Sequence, residues 1–222
     1  TNSGFNDAFI TKYLSDGTKE WTKLLGSSSS EHAFALTTGI DGSIYVSGYT
    51  GSALDGQTNS GGTDAFLTKY SADGTKAWTK LLGSSSTDYA RALTTGLDGS
   101  IYVSGYTNGS LVGETYSGGA DAFLTKYSTD GIKVWTKLLG TSNSHEQANA
   151  LTTGLDGSVY VAGFISGSFV GGDIYDAFLT KYSVDGTKAW TKLLGTSGSE
   201  GAYALKTGLD GSIYVSGNTG GA

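Results

Sequence analysis

The polar and apolar positions of this chain follow one rhythm four times. Runs rich in β-branched and aromatic residues, DAFLTKYS (64–71), KAWTKLLG (76–83), ARALTTGL (90–97) and SIYVSGYT (100–107), are bounded by Gly, Ser and Asp. Such runs predict strands. Asp73-Gly74 separates the first pair and Asp98-Gly99 the second. An Asp-Gly pair favours a tight hairpin because glycine tolerates positive φ. No segment sustains a helical period. The segments AFL and IYV are apolar at successive positions, so both strand faces are expected to be covered.

The rhythm has a fixed spacing. The DAF motif begins at Asp7, Asp64, Asp121 and Asp176, at intervals of 57, 57 and 55 residues. A period of this size means one supersecondary unit per repeat, with neighbours stacking to complete a core. Four antiparallel strands per unit predict a propeller blade. Trp21, Trp78, Trp135 and Trp190 share one repeat position, which predicts packing between blades, with sugar stacking as the alternative.

The words DAFLTKYSADGTKAWTKLLG and ARALTTGLDGSIYVSGYT resemble the SBBP beta-propeller repeat of bacterial surface and secreted proteins, over essentially the whole chain. The resemblance implies an extracellular or cell-surface propeller. The family name implies seven blades, whereas four repeats are present. The DGSIYVSG hairpin is similar to that of NHL-type propellers, in which the strand before the Asp-Gly turn is innermost, and this sets the strand order.

The fold expected is therefore all-β, a single propeller domain over 1–222 with four four-stranded blades. The blades run over about 33–83, 90–140 and 148–195, with 202–222 plus 1–26 forming the fourth. Its outer strands come from the N-terminus, so pairing Ile213–Ser216 with residues 8–12 closes the ring and removes bare sheet edges. Loop lengths agree: residues 106–120 and 164–175 span fifteen and twelve positions, and 218–222 with 1–6 supply eleven. A piece of a longer array and closure between molecules into a larger ring are the alternatives.

Composition changes this picture little. The 222 residues are long enough to bury a substantial core, and 37% are hydrophobic despite 36 glycines. A net charge of −6 offers no basic stripe for nucleic acid or an anionic membrane. The absence of Cys excludes disulfides and thiolate zinc sites. The absence of Met fits a processed product or an excised domain, one part of a longer parent. No apolar run is long enough for a transmembrane helix and no signal peptide is visible.

Both Asp-Gly turns of each blade fall on one face of the propeller, and they barely vary. The opposite face carries 27–34, 84–91, 141–149 and 196–203 with the long loops 49–63, 106–120 and 164–175, and there the repeats diverge. Variable loops on a rigid scaffold are where binding concentrates, and equally where constraint relaxes. Aligned on the shared Ala-Leu, the preceding position holds Phe34, Arg91, Asn149 and Tyr203, and two positions earlier stand His32, Tyr89, Gln147 and Gly201. Phe34, Tyr89, Arg91, Asn149 and Tyr203 are the candidate ligand-binding residues, suited to glycan or protein by stacking and hydrogen bonding. Glu31, Asp88, Glu146 and Glu200 place a carboxylate at one loop position in every repeat. They are the candidate metal ligands for Ca²⁺, a hard cation that takes oxygen donors. The competing reading is that each carboxylate pins its own loop.

Catalytic motifs do not emerge. There is no G-x-S-x-G elbow or P-loop, and HEQAN at 145–149 has Asn149 where a zinc helix needs its second His. Carboxylates that recur with the repeat argue against the unique pair of a glycosidase. The chain is thus expected to be non-enzymatic: a rigid structural or assembly unit of a bacterial surface or secreted protein. The alternative is a carbohydrate- or protein-binding propeller working through the variable face. Its partners are then a glycan, a protein or neighbouring domains of a larger assembly.

Overall fold

The computed structural model describes residues 2–111, 113–142, 144–166 and 175–221, so parts of the loops expected at 106–120, 141–149, 164–175 and the chain ends lie outside the described residues. Among those described, the chain forms sixteen strands and no helix. It opens with a hairpin of β1 (Ala8–Tyr13) and β2 (Lys19–Leu25). The first complete unit is β3 (Glu31–Thr38), β4 (Ile44–Thr50), β5 (Asp64–Tyr70) and β6 (Lys76–Leu82). The second is β7 (Asp88–Thr95), β8 (Ile101–Thr107), β9 (Gly119–Tyr127) and β10 (Lys133–Leu139). The third is β11 (Ser144–Thr153), β12 (Val159–Ser166), β13 (Tyr175–Tyr182) and β14 (Lys188–Leu194). A hairpin of β15 (Glu200–Thr207) and β16 (Ile213–Thr219) ends the chain.

Each complete unit is an antiparallel meander in sequence order, as the Asp-Gly turns require. At Asp98-Gly99, Gly99 adopts φ 81° and the Asp98 carboxylate accepts the Ser100 amide at 3.0 Å, which fixes the hairpin. Units two and three are joined by short parallel pairing of Ser144 with Gly119 and His145 with Ala120. Bridges between Thr63 and Thr87, and between Asn6 and Ser30, hold the preceding junctions.

The innermost strands β3, β7, β11 and β15 pack each on the next. A threonine ladder stitches them: Thr95 Oγ1 donates to the Thr38 carbonyl, Thr153 Oγ1 to that of Thr95 and Thr207 Oγ1 to that of Thr153, all at 2.9 Å. Phenylalanines on the third strands fill the junctions, Phe66, Phe123 and Phe178 all being buried. Each such side chain contributes about 1.5–3 kcal/mol by leaving water. The tryptophans pack between blades as expected: Trp21, Trp78 and Trp135 lie on the turn glycines Gly74, Gly131 and Gly186 of the next unit.

The blades are therefore beta-propeller-like, but the sheets do not close into a ring. β1–β2 and β15–β16 each stand as a two-stranded sheet, and among the described residues Ile213–Ser216 pair with β15 and not with 8–12. Each terminal hairpin pairs within itself, and the packing that joins β3 to β7, β7 to β11 and β11 to β15 has no counterpart of like extent between β15 and β3.

Candidate functional site

The variable-loop ends of the innermost strands carry a repeated irregularity. Register shifts fall between Ala33 and Ala35, Ala90 and Ala92, Ala148 and Ala150, and Ala202 and Ala204. The extra residue in each is Phe34, Arg91, Asn149 or Tyr203, the four positions at which the repeats diverge. A β-bulge re-aims the extra side chain away from the regular strand pattern. Glycine opposite makes the bulge possible: a Cβ on Gly48, Gly105, Gly163 or Gly217 would collide with the carbonyl of His32, Tyr89, Gln147 or Gly201 respectively.

Three of the candidate residues meet at the junction of the first two units. The Arg91 guanidinium lies 4.6 Å from the Phe34 ring centre, 5.6 Å from that of Tyr89 and 5.7 Å from that of Tyr106. Tyr89 stacks on Tyr106 at 5.0 Å and meets Tyr49 edge-on at 4.6 Å, while His32 stacks on Tyr49 at 4.9 Å. A cation over aromatic faces is attracted by the ring quadrupoles. Burial pushes the Tyr106 phenol up, and Arg91 beside it pulls the other way. Burial likewise raises Tyr49, with Tyr89 adding to the shift. Arg91 Nε is buried with no hydrogen-bond partner among the described residues, whereas Phe34 is exposed.

The other two candidates stand apart from this cluster. Asn149 donates to the Ala202 carbonyl at 3.3 Å and so bridges the third unit to β15. Tyr203 lies with Phe164, Tyr175 and Asn218 along a shallow groove of about 270 Å³. Sequence reading placed Tyr49, Tyr106 and Phe164 at the starts of the long variable loops without singling them out. The signal was available, since hairpin register places them opposite His32, Tyr89 and Gln147.

The four candidate metal ligands turn back into their own loops. Glu31 accepts the Ser27 amide and the Thr50 hydroxyl, each at 2.7 Å, and the Ser27 hydroxyl as well. Asp88 accepts the Ser84 amide at 2.7 Å and its hydroxyl at 3.0 Å. Glu146 accepts the Thr141 hydroxyl at 2.9 Å and that of Ser144. Glu200 accepts the Thr196 amide at 2.9 Å and the hydroxyls of Thr196 at 2.6 Å and Thr219 at 2.9 Å. All four are buried. No three His, Cys, Asp or Glu residues gather as a metal site among the described residues. Each of these carboxylates thus pins its own loop.

Pinning has an electrostatic cost. Burial pushes the carboxyls of Asp88 and Glu146 up, and Asp121 adds to the shift on Glu146. Burial does the same to Asp64, with Asp88 as a like-charged neighbour. At the other end of the strands, Lys181 beside Asp156 holds that carboxyl low, helped by the Ser158 amide.

Residues 77–111 match the model of a family described as SBBP, a beta-propeller repeat. The chain is similar to the regulatory protein FlaEY of Caulobacter vibrioides, at 29% identity over 84% of this chain and 22% of that protein. It is also similar to an uncharacterized WD repeat-containing protein of Acanthamoeba polyphaga mimivirus, at 23% identity over 88% of this chain and 19% of that one. The chain spans about a fifth of the length of these relatives. A solved structure of a protein of unknown function from Bacteroides caccae superposes with a TM-score of 0.57 at 12% identity, over 97% of this chain and 62% of that chain. That likeness concerns the fold alone.

Proposed function

We propose that this chain is a non-enzymatic propeller module of a bacterial surface or secreted protein, serving as a rigid unit of assembly within a longer parent. The observation that carries the reading is the use made of the recurring carboxylates. Glu31, Asp88, Glu146 and Glu200 are each buried and committed to their own loops, so these acids build scaffold in every repeat. The location at the bacterial surface rests on the likeness to SBBP repeats.

A second reading has its own observation. The cluster of Phe34, Tyr49, Tyr89, Tyr106 and Arg91 offers aromatic faces and a guanidinium nitrogen with no partner among the described residues, as a glycan- or peptide-binding propeller would. An Arg91→Ala and Tyr89→Ala pair, screened with the parent against glycan and peptide arrays, separates the two. The assembly reading expects no saturable ligand for the parent chain. Saturable binding that both substitutions abolish puts the binding reading first.

A further inference from the structure

Each complete blade holds a lysine over a tyrosine ring and closes the arrangement with a carboxylate. Lys69 lies over Tyr45 and pairs with Asp41 at 3.2 Å. Lys126 lies over Tyr102 and pairs with Asp98 at 2.9 Å. Lys181 lies over Tyr160 and pairs with Asp156 at 2.8 Å. The ring attracts the cation through its quadrupole, and the acid completes the charge balance.

Arg91 breaks this pattern. It is the only arginine of the chain, and its guanidinium lies over Phe34, Tyr89 and Tyr106. Yet no carboxylate stands within ion-pair distance of it among the described residues. The acid nearest in sequence, Asp88, is committed to Ser84, and strand alternation puts it on the face opposite Tyr89. Nor does the blade require an arginine here. The same bulge carries Phe34, Asn149 and Tyr203 in the other repeats, whereas every lysine but Lys206 recurs at an equivalent place in all four.

The surroundings of Arg91 define the group that would complete it. The residue is half-buried with Nε covered, so its paired Nη groups form the edge left to a ligand. A guanidinium edge matches a carboxylate through two parallel hydrogen bonds. Stacking on the rings fixes the plane of that edge beforehand, which lowers the ordering cost of binding. Beside it Tyr89 and Tyr106 stack at 5.0 Å, and Tyr49 meets Tyr89 edge-on at 4.6 Å. Such rings suit the C–H face of a pyranose. A hexuronate brings both features on one ring, a C–H face and a carboxylate on the adjoining carbon. An aspartate or glutamate brings the acid on a flexible stem without the face. A neutral sugar brings the face without the acid.

We infer that the junction of the first two complete blades binds an acidic glycan through a hexuronate residue. Its carboxylate pairs with the Nη edge of Arg91 while its C–H face lies against the Tyr89 and Tyr106 rings. This inference rests on the binding reading and names its ligand. Tyr49, Tyr89, Arg91 and Tyr106 all belong to four-stranded blades, so the site does not depend on what precedes or follows the chain.

The test is calorimetric titration of the 222-residue chain with short oligomers of galacturonate, mannuronate and hyaluronate, each beside its neutral methyl ester. Saturable binding of at least one acid oligomer is expected, with its ester at least tenfold weaker. Arg91→Asn installs the residue that the third repeat carries at the same bulge, so circular dichroism should be unchanged while binding falls at least tenfold. Arg91→Lys keeps the charge but loses the fork, and is expected to weaken binding as well. Tyr203→Ala, in its separate groove, should change nothing. Equal binding of acid and ester, full binding by Arg91→Asn, or no heat with any of the uronates overturns the inference. Binding of hexaglutamate in their place overturns it too. The binding reading outlives each of these results if the array screen finds another saturable ligand that Tyr89→Ala and Arg91→Ala abolish, and falls with the inference if it finds none.

Discussion

β8 and β16 share the sequence Ile-Tyr-Val-Ser-Gly, yet one is almost wholly buried and the other lies almost wholly in water. Their hairpin partners do not explain the difference. Leu93 pairs with Val103 and Leu205 with Val215 in the same register, with the bulge at the same place. Tyr102 is fully buried and Tyr214 is 61% exposed because β8 is flanked by β9, whereas β16 has no second neighbour among the described residues. Burial in this fold belongs to the junction between blades. The hairpin builds a strand, and the third strand with the next blade makes it core.

The sharpest way to break the comparison is to remove the same phenyl ring from both kinds of junction. Phe123→Ala is expected to lower the stability of the chain by about 3–5 kcal/mol in urea unfolding, the usual range for a buried ring. Phe9→Ala is expected to leave unfolding nearly unchanged, because Phe9 is 67% exposed. Equal losses of monomer stability would mean that Phe9 is buried within its own chain.

Next in size is the bulge, which both kinds of blade share. A methyl group on Gly105 or Gly217 meets the carbonyl of Tyr89 or Gly201, so Gly105→Ala and Gly217→Ala should each cost about 1–3 kcal/mol, as overpacking does. Similar melting losses for the two would show that the bulge belongs to the hairpin and not to the complete blade.

Asp88 and Asp156, at opposite ends of the strands, differ in their response to pH. Asp88 has a raised carboxyl pKa through burial, so its contribution is fully present below the ordinary carboxylate value and is lost as pH rises through the raised one. Asp156, held low chiefly by Lys181, behaves oppositely, its contribution being lost as pH falls. Asp88→Asn should lower the melting temperature throughout, because hydrogen bonds are lost, but flatten its decline above about pH 4. Asp156→Asn should flatten the acid-side decline, and by less, since an exposed pair is worth only about 0–1 kcal/mol. Melting curves from acid to neutral pH read both slopes. The smallest expected effect is that of EDTA or added Ca²⁺, which should leave the melting temperature unchanged because the loop carboxylates already hold amide and hydroxyl donors.

Strand positions were legible because Asp-Gly turns punctuate apolar runs: DAFLTKYS and SIYVSGYT appear as β5 and β8 within a residue or two. The divergent positions Phe34, Arg91, Asn149 and Tyr203 were legible by alignment, but their being bulges was not, since a bulge depends on the glycine across the hairpin. Tyr49 and Tyr106 escaped notice because they sit inside a repeated strand word, and their role comes from register with His32 and Tyr89. The direction taken by Glu31, Asp88 and Glu200 had a local signal, a Ser or Thr four residues upstream that offers amide and hydroxyl together. Ring closure was illegible for a different reason. It depends on how successive blades pack around buried side chains such as Phe66, Phe123 and Phe178, and no strand pattern encodes that packing.

The central claim is that a hairpin becomes core only where a third strand and a neighbouring blade cover it, and amide hydrogen exchange tests it most directly. Exchange along β8, Ile101–Thr107, should be slow and exchange along the identical word in β16 much faster. Equal protection of the two strands would contradict the account.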